Sequence, residues 1–366
     1  MTCDCADESD SVNPLHPLRA WLSRVRLARL LGVLVLLTLV TTMPAADAAF
    51  SDSASLPSTT IATNQLLPPT RLTVSHTCVP AATVFFRGAS SASGQDKLTI
   101  TKPAGVQVDD VLVAQVTNSN GLYTNLNAPA GWVLLGRTSS GGQVTAAVFY
   151  KVAEAVEPSS FTFRLVGSSG VPMAGGIAAF DGVWTNDPVD AFGVATGLGA
   201  SATTPSVTTS VAGTVLLRLI SKREDDVPAP AGTTPLWQLP AGAGSGAEGA
   251  TASYEGFAGP GVAPSRTSTT VTTSEWVTHT IALRPVPPTA NVTASWTASP
   301  SGWATGYLVE RLVNGAVQTS GTVSPVSVTS AADGPLATGV TYTYRISAYF
   351  RSWTSPPVTA SLTTNC

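Results

Sequence analysis

Residues 336–353 read LATGVTYTYRISAYFRSW, and the rest of the chain is placed from them. Tyr342, Tyr344, Ile346, Ala348 and Phe350 alternate with Thr343, Arg345, Ser347 and Tyr349, the period-2 pattern of a half-buried antiparallel strand. Of the 366 residues only 11% are charged while 43% are hydrophobic, so there is ample apolar surface to bury and the composition argues against disorder. The 32 glycines and 27 prolines stand between short Val/Thr/Leu runs, which predicts an all-β chain with many turns. A formal charge of −3 supplies no basic face, so no nucleic-acid partner is expected. Arginine greatly outnumbers lysine, which occurs only at 97, 102, 151 and 222; that codon bias points to a GC-rich bacterial genome.

Ahead of the opening strand stands Leu336-x-x-Gly339-x-x-Tyr342: a leucine, a turn glycine and a tyrosine at the corner leading into it. This resembles the tyrosine corner of fibronectin type III domains. PPTRLTVSHTC at 68–78, with Leu72 and Val74 on one face, resembles the first strand of such a domain, yet its continuation comes only at 287–296, PPTANVTASW. Further strands are expected at 306–312, beyond the Asn314-Gly315 turn near 323–328, and at 358–363. The resemblance implies an all-β fold: a fibronectin type III-like sandwich (68–79 plus 286–366) interrupted after its first strand by a larger two-repeat β-sandwich at 80–285.

The inserted region carries an internal repeat, with copies at about 95–190 and 200–285. Val111 recurs as Val215, Tyr150 as Tyr254 and Ile177 as Ile281, all at an offset of 104, while the APAG run at 128 returns at 229. Each copy is a set of short strands that is too small to bury both faces alone, so two copies packed face to face are expected to give one sandwich of about eight to ten strands, of the jelly-roll kind. As a whole this region resembles a tandem-repeat β-sandwich domain of exported and phage-related bacterial proteins.

Residues 1–48 read as a secretory signal: Arg19, Arg24, Arg26 and Arg29, the apolar run Leu30–Val40, then Ala46-Asp47-Ala48 before a cut at Ala49. The alternative is an uncleaved membrane anchor, although the apolar run is shorter than the roughly 18–20 residues a spanning helix needs. The run at 49–54, AFSDSA, resembles the start of exported bacterial proteins, some of which form biofilm fibres; 49–67 reads as a surface linker. Cleavage leaves Cys78 and Cys366. In the resembled sandwich the first and last strands run the same way, which puts both cysteines at one pole and implies a disulfide; two free thiols or an intermolecular bridge are the alternatives.

Chemistry is thinly supplied. His76 and His279 stand near no nucleophile elbow, and His279, between apolar residues of a strand, is expected to face outward. Cysteine–histidine zinc spacing is missing. Asp181, Asp187 and Asp190 offer some oxygen ligands for calcium but lack EF-hand spacing, and Glu224-Asp225-Asp226 is a further acidic run. No catalytic residue, metal or cofactor is therefore expected, and the chain is read as not an enzyme. Trp132 and Trp237 each follow an APAG copy and read as repeated core or rim positions. In the resembled sandwich Trp303 and Trp353 fall in loops sharing one pole with Phe350 and Arg351, an aromatic and cationic patch of the kind binding surfaces favour, unless either tryptophan folds back over the core. The expected function is a secreted or cell-surface β protein for adhesion, matrix or ligand binding. The alternatives are a carbohydrate-binding accessory module of a polysaccharide-degrading system and a fibre- or phage-like structural subunit. The partner classes are surface glycans or proteins, with membrane contact only through an uncleaved signal segment.

Overall fold

The computed structural model describes residues 64–119, 125–223, 227–240 and 248–366, and every regular element among them is a strand. The expected signal segment at 1–48, most of the expected linker and Glu224–Asp226 lie outside the described residues. In chain order, β1 (Thr70–Val79) precedes a first repeat of β2 (Phe85–Gln95), β3 (Lys97–Thr101), β4 (Val111–Asn118), β5 (Leu126–Asn127), β6 (Val133–Ser140), β7 (Val144–Val152), β8 (Ser160–Leu165) and β9 (Pro172–Asp181). A second repeat follows: β10 (Val189–Thr204), β11 (Val207–Thr209), β12 (Thr214–Lys222), β13 (Thr234–Leu239), β14 (Gly249–Phe257), β15 (Gly261–Ala263) and β16 (Arg266–Leu283). The chain ends with β17 (Thr289–Thr297), β18 (Gly306–Val313), β19 (Ala316–Val323), β20 (Ser330–Ala337), β21 (Thr341–Phe350), β22 (Trp353–Thr354) and β23 (Val358–Thr363).

β1 pairs antiparallel with β17, Thr70 opposite Thr297 at one end and Val79 opposite Thr289 at the other. The two repeats thus stand where a hairpin turn would otherwise join these strands. One sheet runs β1-β17-β20; the other runs β19-β18-β21, with β23 on the far side of β21. Between them the alternation of the opening stretch buries Tyr342, Tyr344, Ile346 and Ala348 against Val292, Ala294 and Trp296. The corner closes as its sequence requires: Gly339 supplies a positive φ of 75°, Leu336 is buried, and the Tyr342 hydroxyl donates to the Ala337 carbonyl at 3.3 Å. The strand expected near 323–328 is instead the connection between β19 and β20, where Pro325 has no N–H to give a ladder.

Inside the insertion, β2 pairs with β9, β3 with β8 and β4 with β7, the nested order of a rolled-up hairpin. The second repeat does the same with β10 and β16, β11 and β15, β12 and β14. Each repeat is its own jelly roll rather than half of one, which corrects the expected count. The first-repeat sheet has eight strands and folds over at the single Gln95–Lys97 pairing, enclosing Leu98, Ile100, Phe149, Phe161, Phe163 and Ile177. Its other face packs on the five-stranded sheet of the second repeat through Val113, Phe180, Leu217, Leu219, Ile281 and Leu283. Covered on both faces, β4 and β12 are buried at every position, including the polar Gln115, Thr117, Arg218 and Lys222 as well as the apolar Val111–Ala114 and Val215–Leu217.

The repeat is not in register throughout. Val113 opposite Tyr150 recurs as Leu217 opposite Tyr254, but Val113 opposite Ala178 recurs as Leu217 opposite Ile281. Ile281 therefore answers to Ala178 and not to Ile177, and in a strand that single step turns the side chain to the other face. Ile177 fills the first repeat's own core while Ile281 fills the core between the repeats. The two tryptophans also part company: Trp132 packs edge-on to Phe161 inside the first repeat, whereas Trp237 lies between the repeats and donates to Gln115 Oε1 at 3.1 Å. A Cβ on Gly176 would come within 2.6 Å of that indole. Gly176→Ala is expected to cost about 1–3 kcal/mol by overpacking, read as a lower urea midpoint; an unchanged midpoint would show that the indole has room to move.

Candidate functional site

The inward face of β21 ends at Phe350, which pairs with Trp353 across a two-residue turn of Arg351 and Ser352. Arg351 sits at φ 53°, a backbone region where glycine or asparagine is cheaper, so an arginine is held at the tip at some conformational cost. Its guanidinium carbon lies 5.3 Å from the Phe350 ring centroid, within cation–π range. Trp303, from the loop after β17, meets the same ring edge-on with centroids 5.3 Å apart and planes at 83°. Trp303 is half-buried, whereas Trp353 is 62% exposed. The four residues singled out by sequence thus lie at one pole, with Phe350 as the base, Trp303 as its brace, and Arg351 and Trp353 facing solvent.

The approach to β1 reinforces this pole, and here the linker reading needs correction. Leu66 is buried in the sandwich core; the Leu67 N–H donates to Ser301 Oγ at 3.0 Å and Ser299 Oγ donates to the Leu67 carbonyl at 2.6 Å. Residues 65–67 are therefore pinned across the loop that carries Trp303, because an apolar side chain and two serines give that short segment both core and hydrogen-bond partners. The length of β1, roughly 30 Å, separates this pole from the end where the insertion leaves and returns. At that far end Cys78 and Cys366 form a disulfide, with Cα atoms 5.6 Å apart.

The other candidates are distributed elsewhere. Asp181 pairs with Arg87 at 2.9 Å, Asp190 with Arg284 at 2.9 Å and Asp187 with Arg284 at 3.4 Å, while the Ser210 N–H also donates to Asp190. These carboxylates neutralise arginines at the rim of the insertion and do not converge on a cavity. His279 does not face outward: β16 is covered on both sides at that point, and the imidazole is buried between the repeats, stacked on Phe192 at 5.6 Å. Burial alone pulls its pKa down to about 4. Sequence reasoning also missed the charged centre of the second repeat, where Arg218 is fully buried and bonded to Glu255 at 2.7 Å, with Arg266 on the other carboxylate oxygen. A lone arginine within TVLLRLI offers no sign of its partner, which lies on the neighbouring strand β14.

By strand order, β1-β17-β20 against β19-β18-β21-β23, the outer body is a fibronectin type III-like β-sandwich. No protein-family model and no curated protein matches the chain. Among solved structures it is similar to the FN1–FN3 domains of chicken CNTN1, at 13% identity over 78% of this chain and 99% of that one with a TM-score of 0.19. A three-domain segment of titin is similar at 10% identity over 78% and 100% of the two chains, with a TM-score of 0.18. Scores this low leave the description resting on the strand order.

Proposed function

We propose that this chain is an exported, non-enzymatic β-sandwich protein that attaches to a surface or matrix partner through the pole formed by Trp303, Phe350, Arg351 and Trp353. The observation that carries this is Trp353: a large aromatic ring left exposed on a tight turn beside a cation, at the end of the sandwich farthest from the insertion. The signal-like pattern of residues 1–48 supports export. A protein partner fits better than a polysaccharide, because Trp303 turns its edge to Phe350 and braces the turn; stacking along a sugar chain calls for flat rings side by side.

Retention of the exported protein on extracellular matrix and on intact cells tests this, with Trp353→Ala and Arg351→Ala alongside. Both side chains are exposed, so the variants are expected to melt with wild-type midpoints yet lose tenfold or more in retention, the size of an interface hot spot. Equal retention by all three proteins removes the proposal. A glycan-array signal that disappears in Trp353→Ala transfers the site to the carbohydrate reading.

A further inference from the structure

Along β1, Leu72, Val74, His76 and Cys78 share one face, and alternation places His76 one step from the disulfide. The His76 imidazole, Cys78 Sγ and Cys366 Sγ all lie within 4.8 Å of one another. His76 Nε2 is 3.3 Å from the Asn365 carbonyl and Cys78 Sγ is 3.5 Å from the same oxygen, so this carbonyl holds the imidazole beside the cysteines. Both cysteines are exposed and His76 is half-buried, so reductant and ions reach the cluster from solvent. In a tetrahedral zinc site with Zn–S about 2.3 Å and Zn–N about 2.0 Å, donor atoms stand roughly 3.4–3.8 Å apart. Opening the disulfide moves the two sulfurs toward that spacing, with the imidazole already at hand.

We propose that the Cys78–Cys366 clasp has a second, reduced form in which Cys78, Cys366 and His76 bind a zinc-class divalent cation. A dithiol delivers two electrons and two protons to the disulfide, leaving two cysteine thiols and becoming a disulfide itself. The cation then displaces the two thiol protons to solvent and takes both thiolates and the imidazole, with water at the fourth position. Two thiolates and one imidazole suit Zn²⁺, and Co²⁺ as its spectroscopic stand-in, better than an oxygen-seeking ion such as Ca²⁺. The end of the first strand and the end of the chain are then tied together in either redox state, covalently when oxidised and through the ion when reduced.

The test is a Co²⁺ titration of the full chain carrying Cys3→Ser and Cys5→Ser, which removes two competing thiols, after reduction with a phosphine that does not itself chelate. The reduced protein is expected to bind one equivalent, with thiolate-to-cobalt charge transfer in the near ultraviolet and the visible bands of a tetrahedral ion. The oxidised protein is expected to show neither. Reduced His76→Ala is expected to bind at least tenfold more weakly, and His76→Cys, which restores a third ligand, to recover the affinity. Missing charge transfer in the reduced protein, or equal affinity with and without His76, overturns the proposal. Strand-sheet circular dichroism identical to wild type shows that a variant has kept its fold.

Discussion

Glu255→Leu is expected to destabilise the insertion by about 3–5 kcal/mol, because it strands a buried cation. Arg218 has no solvent exposure; besides Glu255 it donates to Thr280 Oγ1 at 3.0 Å, the Pro264 carbonyl at 2.8 Å and the Pro205 carbonyl at 3.3 Å. Burial pulls the Arg218 pKa down, and the bond and charge of Glu255 oppose that shift. Burial likewise pushes the Glu255 carboxyl up, but bonds from Arg266 and Arg218 outweigh it and hold the group below its ordinary range. Carbonyls alone cannot replace the lost anion. The first repeat shows that the position itself tolerates an apolar residue: Ala114 and Ile177 occupy the places of Arg218 and Thr280 and belong to a hydrocarbon core. The double change Arg218→Met with Glu255→Leu is accordingly expected to recover most of the loss. Urea unfolding followed by tryptophan fluorescence checks both, and a single Glu255→Leu as stable as wild type would show that water reaches Arg218.

The second large effect depends on pH. His279 carries a pKa of about 4 in the folded protein against 6.5 for the free side chain. Between those values the unfolded chain binds the proton and the folded chain does not, so stability is complete above about pH 6.5 and falls as the solution is acidified toward pH 4. The full shift is worth about 3 kcal/mol. His279→Leu is expected to remove that part of the slope. It is also expected to be at least as stable as wild type at pH 7, since neither ring nitrogen has a hydrogen-bond partner among the described residues. Melting curves from pH 7.5 to pH 4 on both proteins decide it; parallel curves would mean that the imidazole gains a proton without leaving the core.

What could be read from sequence was local or tied to one residue type. Leu336, Gly339 and Tyr342 specify a corner because each has a steric or hydrogen-bonding task within seven residues, and the corner led back to β1 and on to the pairing of Cys78 with Cys366. The pole residues followed because loop positions are fixed once strand order is known. What escaped depended on contacts between strands distant in sequence. Aligning Ile177 with Ile281 matched like residues, yet register is set by opposing strands, and Ala178 is the true counterpart. His279 looked outward because one covered face was assumed where two exist. The same assumption hid Arg218, whose counter-charge sits on β14, and missed Leu66, one of two adjacent leucines in a segment without periodicity.

The ends of the insertion, Val79 and Thr289, stand opposite each other as a ladder pair. That has a kinetic consequence. During synthesis β1 emerges about 210 residues before its partner, and closing so long a flexible loop costs on the order of 3 kcal/mol more than closing a four-residue turn. Once both jelly rolls have formed, their termini are fixed one strand spacing apart and that difference vanishes. The insertion then acts as a template for the outer sandwich, so a lesion deep in the second repeat is expected to delay assembly of the pole that carries Trp303 and Trp353.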